Sequence, residues 1–299
     1  MFGKRPDGIR IDCVDPVMKI TPYVMPMRCD AQVFMKAKAE MDVLSRYVRR
    51  QKMEKNESIS YMQIVVAAYV RAISRNPAVN RFIMNKQLFA RNNCSVAFTI
   101  LKDPADIEKG EAVVKIRFDL SDTLYDVRDR MVAGVEANRI LSEPGFLEKL
   151  LNGLFAVPGL ATVAVSVVRV LDRYGIAPAI LMDELPFYVG MYVTNTGSIG
   201  LGDVNHHLYN WGNVGLFLGI GLPEKQLVMK DGNIQAKRYL SFGITADERV
   251  CSGAHYADFF RDMKHYLAHP ELLETEPTEV RFDQGCEYHE PKQGASKGT

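Results

Sequence analysis

Nowhere in the 299 residues is there a C-x-x-C pair. The five cysteines, Cys13, Cys29, Cys94, Cys251 and Cys286, are odd in number and widely spaced. That spacing offers neither a zinc knuckle nor a disulfide framework, and a reducing cytoplasm is the simplest home. A basic excess is also lacking: 37 Lys and Arg stand against 36 Asp and Glu, for a formal net charge of +1. Nucleic-acid binders carry a basic excess or stripe, so no nucleic-acid partner is expected. A near-neutral chain has little self-repulsion to keep copies apart, which leaves oligomerisation open. The N-terminus, MFGKRPDGIRID, has no apolar run and reads without a secretory signal. Internal repeats are lacking as well.

What is present is an apolar fraction of 47%, enough for a sizeable core. Residues 31–55 read as a helix with a basic second half (Arg46, Arg49, Arg50, Lys52, Lys55). Such a half is a solvated face or a phosphate contact for a nucleotide-bearing ligand. Residues 58–75 read as a buried helix stopped by Asn76-Pro77. FIMNKQLFARNNCSVAFTILKD reads as a hairpin and a strand, and residues 112–118 as another strand. Ser121 and Asp122 are candidate caps for a helix over 122–140. From Phe187 strands return: FYVGMYVTNTGSIG, NVGLFLGIGLP, and a hairpin turning at Asp231-Gly232. A helix over 253–268 follows, and the polar tail 284–299 reads as disordered.

Residues 150–168 carry no charge, a length that meets the crude threshold of about 18 apolar residues for a membrane span. Pro158-Gly159 divides the stretch. Apolar residues before it follow helical spacing, and a second helix after it runs to Tyr174 and ends at Gly175. A helical hairpin is the expectation. Core or interface burial, membrane-surface contact through 146–174, and a span are its alternatives. Strands and helices mixed with hairpins give an α/β or α+β sandwich of layers.

Five motifs fall between residues 187 and 273. They are Tyr192-Val193-Thr194-Asn195-Thr196-Gly197; Leu216 to Gly221; Lys230-Asp231-Gly232; Asp247-Glu248-Arg249-Val250-Cys251-Ser252-Gly253; and His269-Pro270-Glu271-Leu272-Leu273. This succession resembles the acyltransferase cores of 2-oxo acid dehydrogenase complexes, which carry T-I-S-N-L-G, a K-D-G turn, D-H-R-x-x-D-G and a D-P-E-L-L-like close. Chloramphenicol acetyltransferases look similar, with H-H-x-x-x-D-G. Residues 21–120 resemble the same cores more loosely, and 140–186 reads as an insertion. The resemblance implies a chloramphenicol acetyltransferase-like mixed sheet covered by helices over residues 1–283. It also implies a homotrimer with sites at subunit interfaces. Coenzyme A or acyl-CoA would be co-substrate, and a thiol or hydroxyl the acceptor.

The resemblance further implies a general-base histidine at position 248 and an aspartate at 252. Thr194, reaching across from a facing subunit, would donate to the tetrahedral oxyanion. Thr194 keeps its hydroxyl, but the other two positions hold Glu248 and Ser252. A free glutamate lies roughly 4 pKa units below a thiol, so it serves as base only if burial raises it. Otherwise Glu248 is a surface carboxylate paired with Arg249. Ser252 can cap helix 253–268. His255 matches a histidine that is not the base in chloramphenicol acetyltransferases. One of His206 and His207 is a candidate for a relocated base, with His207 the one named; neighbours on an extended segment point opposite ways, so at most one faces inward. The pair lacks a third spaced ligand, so no metal site is expected. Asn195, Gly197, His206 and His255 complete the expected substrate contacts. The alternative is an inactive trimeric scaffold or acyl-CoA-binding protein of the same fold.

Overall fold

The computed structural model describes residues 4–102, 108, 110–140, 146–230 and 232–292. Its centre is a six-stranded sheet. The strands are β3 (Gln32–Glu40), β6 (Cys94–Leu101), β7 (Glu111–Phe118), β8 (Met191–Thr194), β9 (Leu216–Lys230) and β10 (Asn233–Asp247), in the order β3-β10-β9-β8-β6-β7. β8 runs parallel to both β6 and β9, and the other pairs are antiparallel, so the sheet is mixed. A smaller sheet joins β1 (Lys4–Arg5), β2 (Gly8–Arg10), β5 (Gln87–Arg91) and β4 (Phe82–Met84).

Helices α2 (Met41–Glu54), α3 (Tyr61–Arg75), α4 (Leu124–Ile140) and α8 (Gly253–Ala268) pack over the large sheet around one core. α3 starts with a reciprocal Ser60–Gln63 capping box, and residues 64–74 are buried without interruption. A largely apolar helix buried on all sides belongs inside the core, and Tyr69 meets Phe259 of α8 edge-on there. α1 (Pro16–Val24), α5 (Phe146–Phe155), α6 (Leu160–Arg173) and α7 (Ala179–Glu184) lie outside that layer. The mixed sheet under a helical layer is the expected architecture, and α5 and α6 form the expected hairpin.

Several local expectations are corrected. Residues 32–40 are a strand, and only 41–54 are helical. Ala, Lys, Met and Glu favour helix, but QVFMKAKAE pairs in unbroken register with β10, from Gln32↔Asp247 to Glu40↔Tyr239. Sheet pairing overrides intrinsic preference. The cap of α4 is Thr123, whose backbone N–H and hydroxyl donate to Asp126, with the Asp126 N–H returned to Thr123. Ser121 and Asp122 instead tie to Asp119. The tail is ordered through 292. Cys286 is buried, Tyr288 stacks edge-on with Phe282, and His289 reaches Asp119 at 3.0 Å. Residues 293–299 and Asp231 lie outside the described residues, while Gly232 has the positive φ of 75° that a tight hairpin turn uses.

On the sheet face opposite the helices, the segment around Val204 lies flat on bare backbone. A Cβ on Gly243 would stand 2.2 Å from the Val204 carbonyl oxygen, and one on Gly219 would stand 2.5 Å from the same atom. That oxygen is backbone and cannot step aside. Gly243→Ala should cost about 3 kcal/mol of stability and loosen residues 201–208. Urea unfolding with limited proteolysis checks both effects.

Lys115 clamps α7 to β7, donating to the carbonyls of Met182 (2.8 Å) and Leu185 (3.4 Å). Burial pushes its ammonium down to about 8. The folded value lies below the unfolded one near 10.4, so charge on Lys115 penalises the fold below pH 8. The penalty fades as pH rises from 8 towards 10.4. The stability of Lys115→Met relative to wild type should therefore fall by about 2 kcal/mol between pH 7 and pH 10 in urea melts.

Candidate functional site

Thr194 ends β8 opposite Gly219 of β9. The chain then turns tightly, because the Thr196 hydroxyl serves two carbonyls, Gly202 at 2.8 Å and Ile220 at 3.0 Å. Gly197 lies against the Gly221 backbone, where a Cβ would sit 2.7 Å from the carbonyl oxygen. The loop that begins at Thr194 is thus pressed onto the sheet by missing side chains. Thr194, Asn195 and Ser198 line a cavity of about 610 Å³ shared with Phe98, Ile100 and Val132.

The other half of the expected site lies between β10 and α8. Asp247 is 1% exposed and accepts from Arg249 twice, at 2.8 and 2.7 Å. Arg28 approaches the same carboxylate at 3.4 Å and donates to the carbonyls of Ile83, Tyr209 and Gly212. Burial lowers the Arg28 pKa, and Asp247 opposes that shift. Arg249 also holds the Met25 carbonyl, and the Tyr256 hydroxyl holds that of Asp247. The peptide bend carrying residues 247–252 is therefore clamped from α1, β3 and α8.

Glu248 projects from this bend into solvent. Its backbone N–H donates to Ala31, while Arg249, the partner expected for its carboxylate, is spent on Asp247. Among the described residues of the chain, none supplies the apolar burial that base chemistry at Glu248 would need. Ser252 occupies the N-cap position of α8, but its hydroxyl makes no capping bond. It sits 2.8 Å from Nδ1 of His255, and both side chains are exposed.

His206 and His207 do not splay apart. Their rings stack 4.5 Å apart at 22°, and the His206 ring also lies on Phe217 at 4.0 Å and 11°. The segment leaves the sheet, so the alternation of an extended strand does not apply to it.

Thr194 aligns through Gly219 with Gly243, and Glu248 lies five residues further along. At about 3.3 Å per residue, that is roughly 16 Å along the strands alone. Within one protomer Thr194, Asn195 and Gly197 form one group, and Glu248, Ser252 and His255 a second.

Sequence reasoning missed a buried polar network beside the site. Arg5 bridges Asp7 (2.9 Å) and Asp172 of α6 (2.6 Å), and the Tyr188 hydroxyl donates to Asp172 at 2.6 Å. Asn213 donates to Asp7 at 2.6 Å and accepts from Arg91 at 2.9 Å. Partners up to 206 residues apart leave no local pattern to read.

Residues 189–275 match the family model of the 2-oxoacid dehydrogenases acyltransferase (catalytic domain). No curated protein matches the chain in sequence. In structure it is similar to the probable dihydrolipoamide acetyltransferase of Listeria monocytogenes 4b F2365, at TM-score 0.51 and 15% identity over 92% of this chain and 99% of that one. It is similar to the cubic core of the pyruvate dehydrogenase multienzyme complex, at 0.52 and 15% over 88% and 93%. It is also similar to a chloramphenicol acetyltransferase, at 0.51 and 11% over 87% and 99%. These likenesses show the fold, and the matched segment holds both groups of site residues.

Proposed function

We propose that this chain transfers an acyl group between coenzyme A and a thiol or hydroxyl acceptor, as a homotrimer. The catalytic unit spans residues 1–283, with the helical hairpin inserted. Each site forms where Thr194 of one protomer faces the Glu248–His255 corner of its neighbour. Exposed Leu227, Met229 and Ile234 on the β9–β10 ribbon, and Val17, Ile20 and Val24 on α1, support burial against other copies.

The observation that carries the reading is the 2.8 Å contact between Ser252 and Nδ1 of His255. It fixes an exposed imidazole one helical turn into α8, beside the position that lacks its histidine. With Nδ1–H donated to the Ser252 hydroxyl, Nε2 is left with its lone pair towards solvent. Nε2 takes the acceptor's proton as the acceptor attacks the thioester carbonyl. Thr194 donates to the resulting oxyanion, and the coenzyme A thiolate departs with the proton from His255.

A second reading, a coenzyme A-binding scaffold, is favoured by the solvent-facing Glu248. Calorimetry with coenzyme A and an acetyl-transfer assay with dihydrolipoamide separate the two. The expected result is micromolar binding, about −8 kcal/mol. Turnover should fall about 100-fold or more in His255→Asn, with the coenzyme A affinity unchanged. Binding without turnover in wild type selects the scaffold. A full rate in His255→Asn removes that histidine as the base.

A further inference from the structure

The outward side of α6 carries Leu160, Val163, Val167, Val170 and Tyr174 at steps of three and four residues. All five are exposed, and the three valines are 51–62% so. Phe155 (71%) and Val157 (54%) continue the surface across the Pro158-Gly159 turn. A continuous apolar face of this kind marks a contact site.

Charge is layered along the hairpin. From 150 to 168 there is none, and the cations of α6 are Arg169 and Arg173, both exposed. Gly159 and Arg169 are ten helical residues, about 15 Å, apart. Asp172 does not offset the arginines. It is 2% exposed and turned inward onto Arg5 and Tyr188. That same contact fixes the base of the hairpin to the body. The result is an apolar wedge with a cationic collar, held rigidly at its root.

We propose that this hairpin seats the protein on an anionic lipid bilayer, the wedge in the acyl boundary and the collar among the headgroup phosphates. An uncharged tip followed by arginines and a tyrosine reproduces the layering of a bilayer surface. A second copy docked on the same face would set arginine against arginine, because α6 offers no exposed carboxylate in answer. No described helix is long and apolar enough to cross a membrane, so the contact is peripheral. The inference is independent of the acyl-transfer reading, since Phe155, Val163 and the two arginines take no part in that site.

The test is flotation of the full chain with phosphatidylcholine vesicles, with and without phosphatidylglycerol. Phe155→Asp/Val163→Asp and Arg169→Glu/Arg173→Glu are run alongside, with circular dichroism and light-scattering mass for each. Wild type should float with the anionic vesicles and bind neutral ones at least about tenfold more weakly. The aspartate variant should lose both interactions while keeping its fold and mass. The glutamate variant should lose only the anionic preference. Three results would overturn the proposal: no flotation of wild type, undiminished flotation of a folded aspartate variant, or a drop in lipid-free mass in that variant. The last would assign the face to a second copy.

Discussion

Thr194→Val should lower the acyl-transfer rate about 100- to 1,000-fold while leaving the Michaelis constant for acyl-coenzyme A nearly unchanged. Valine keeps the β-branched shape and the pairing of β8 with Gly219, so the loop over Gly197 and Gly221 should stay in place. Only a donor is lost. A hydrogen bond aimed at an oxyanion gains strength as charge develops on that oxygen, which places its loss in kcat. Steady-state kinetics of purified Thr194→Val, with thermal melting as the fold control, checks this. An unchanged rate would mean that Thr194 faces no oxyanion. Because Thr194 and His255 would serve one transition state, the double variant Thr194→Val/His255→Asn should lose less than the product of the two single losses.

The fold was legible where periodicity and turn residues agree. α3 shows an apolar run closed by Asn76-Pro77, α8 an apolar stripe, and the β9–β10 ribbon its Gly232 turn. It was not legible at 32–40, where alternating Ala and Lys satisfy helix propensity and only pairing with β10 decides. The tail misled for a related reason. Its polarity hides the buried Cys286 and the half-buried Tyr288, which packs on the core, and the two anchor it against the body. At the site, the motif positions could be named from sequence, but the Ser252–His255 contact could not. Serine before a helix signals a cap, and the competing bond to an imidazole one turn later depends on rotamers that sequence does not fix. The His206–His207 stack likewise depends on Phe217, supplied by a strand that the pair itself does not belong to.

Asp247→Ala should cost about 3–5 kcal/mol, the largest single-site loss expected outside the core. Among the described residues, Asp247 is the carboxylate that both Arg28 and Arg249 contact, and both guanidiniums are at most 5% exposed. Removing it leaves two buried cations facing each other, held by backbone carbonyls and, for Arg28, by the weaker field of Asp172. Burial already lowers the Arg28 pKa, and Asp247 is the strongest influence opposing that shift. Asp247→Asn keeps acceptor capacity but not charge, so it should fall between alanine and wild type. Urea unfolding of the three proteins at pH 7 measures the series, and a loss under 1 kcal/mol in the alanine variant would refute it. The same series reports on the site, because the clamp fixes the bend that presents Glu248 and leads into Ser252 and His255. If transfer runs through His255, Asp247→Asn should lose more rate than its stability loss explains. Replacing Arg28, Asp247 and Arg249 together by apolar residues of similar volume should recover much of the stability, since an absent charge needs no partner. That triple variant would still lack the clamp on the bend, so its rate should stay low while its melting temperature returns. This separates what the ion cluster does for the fold from what it does for the chemistry.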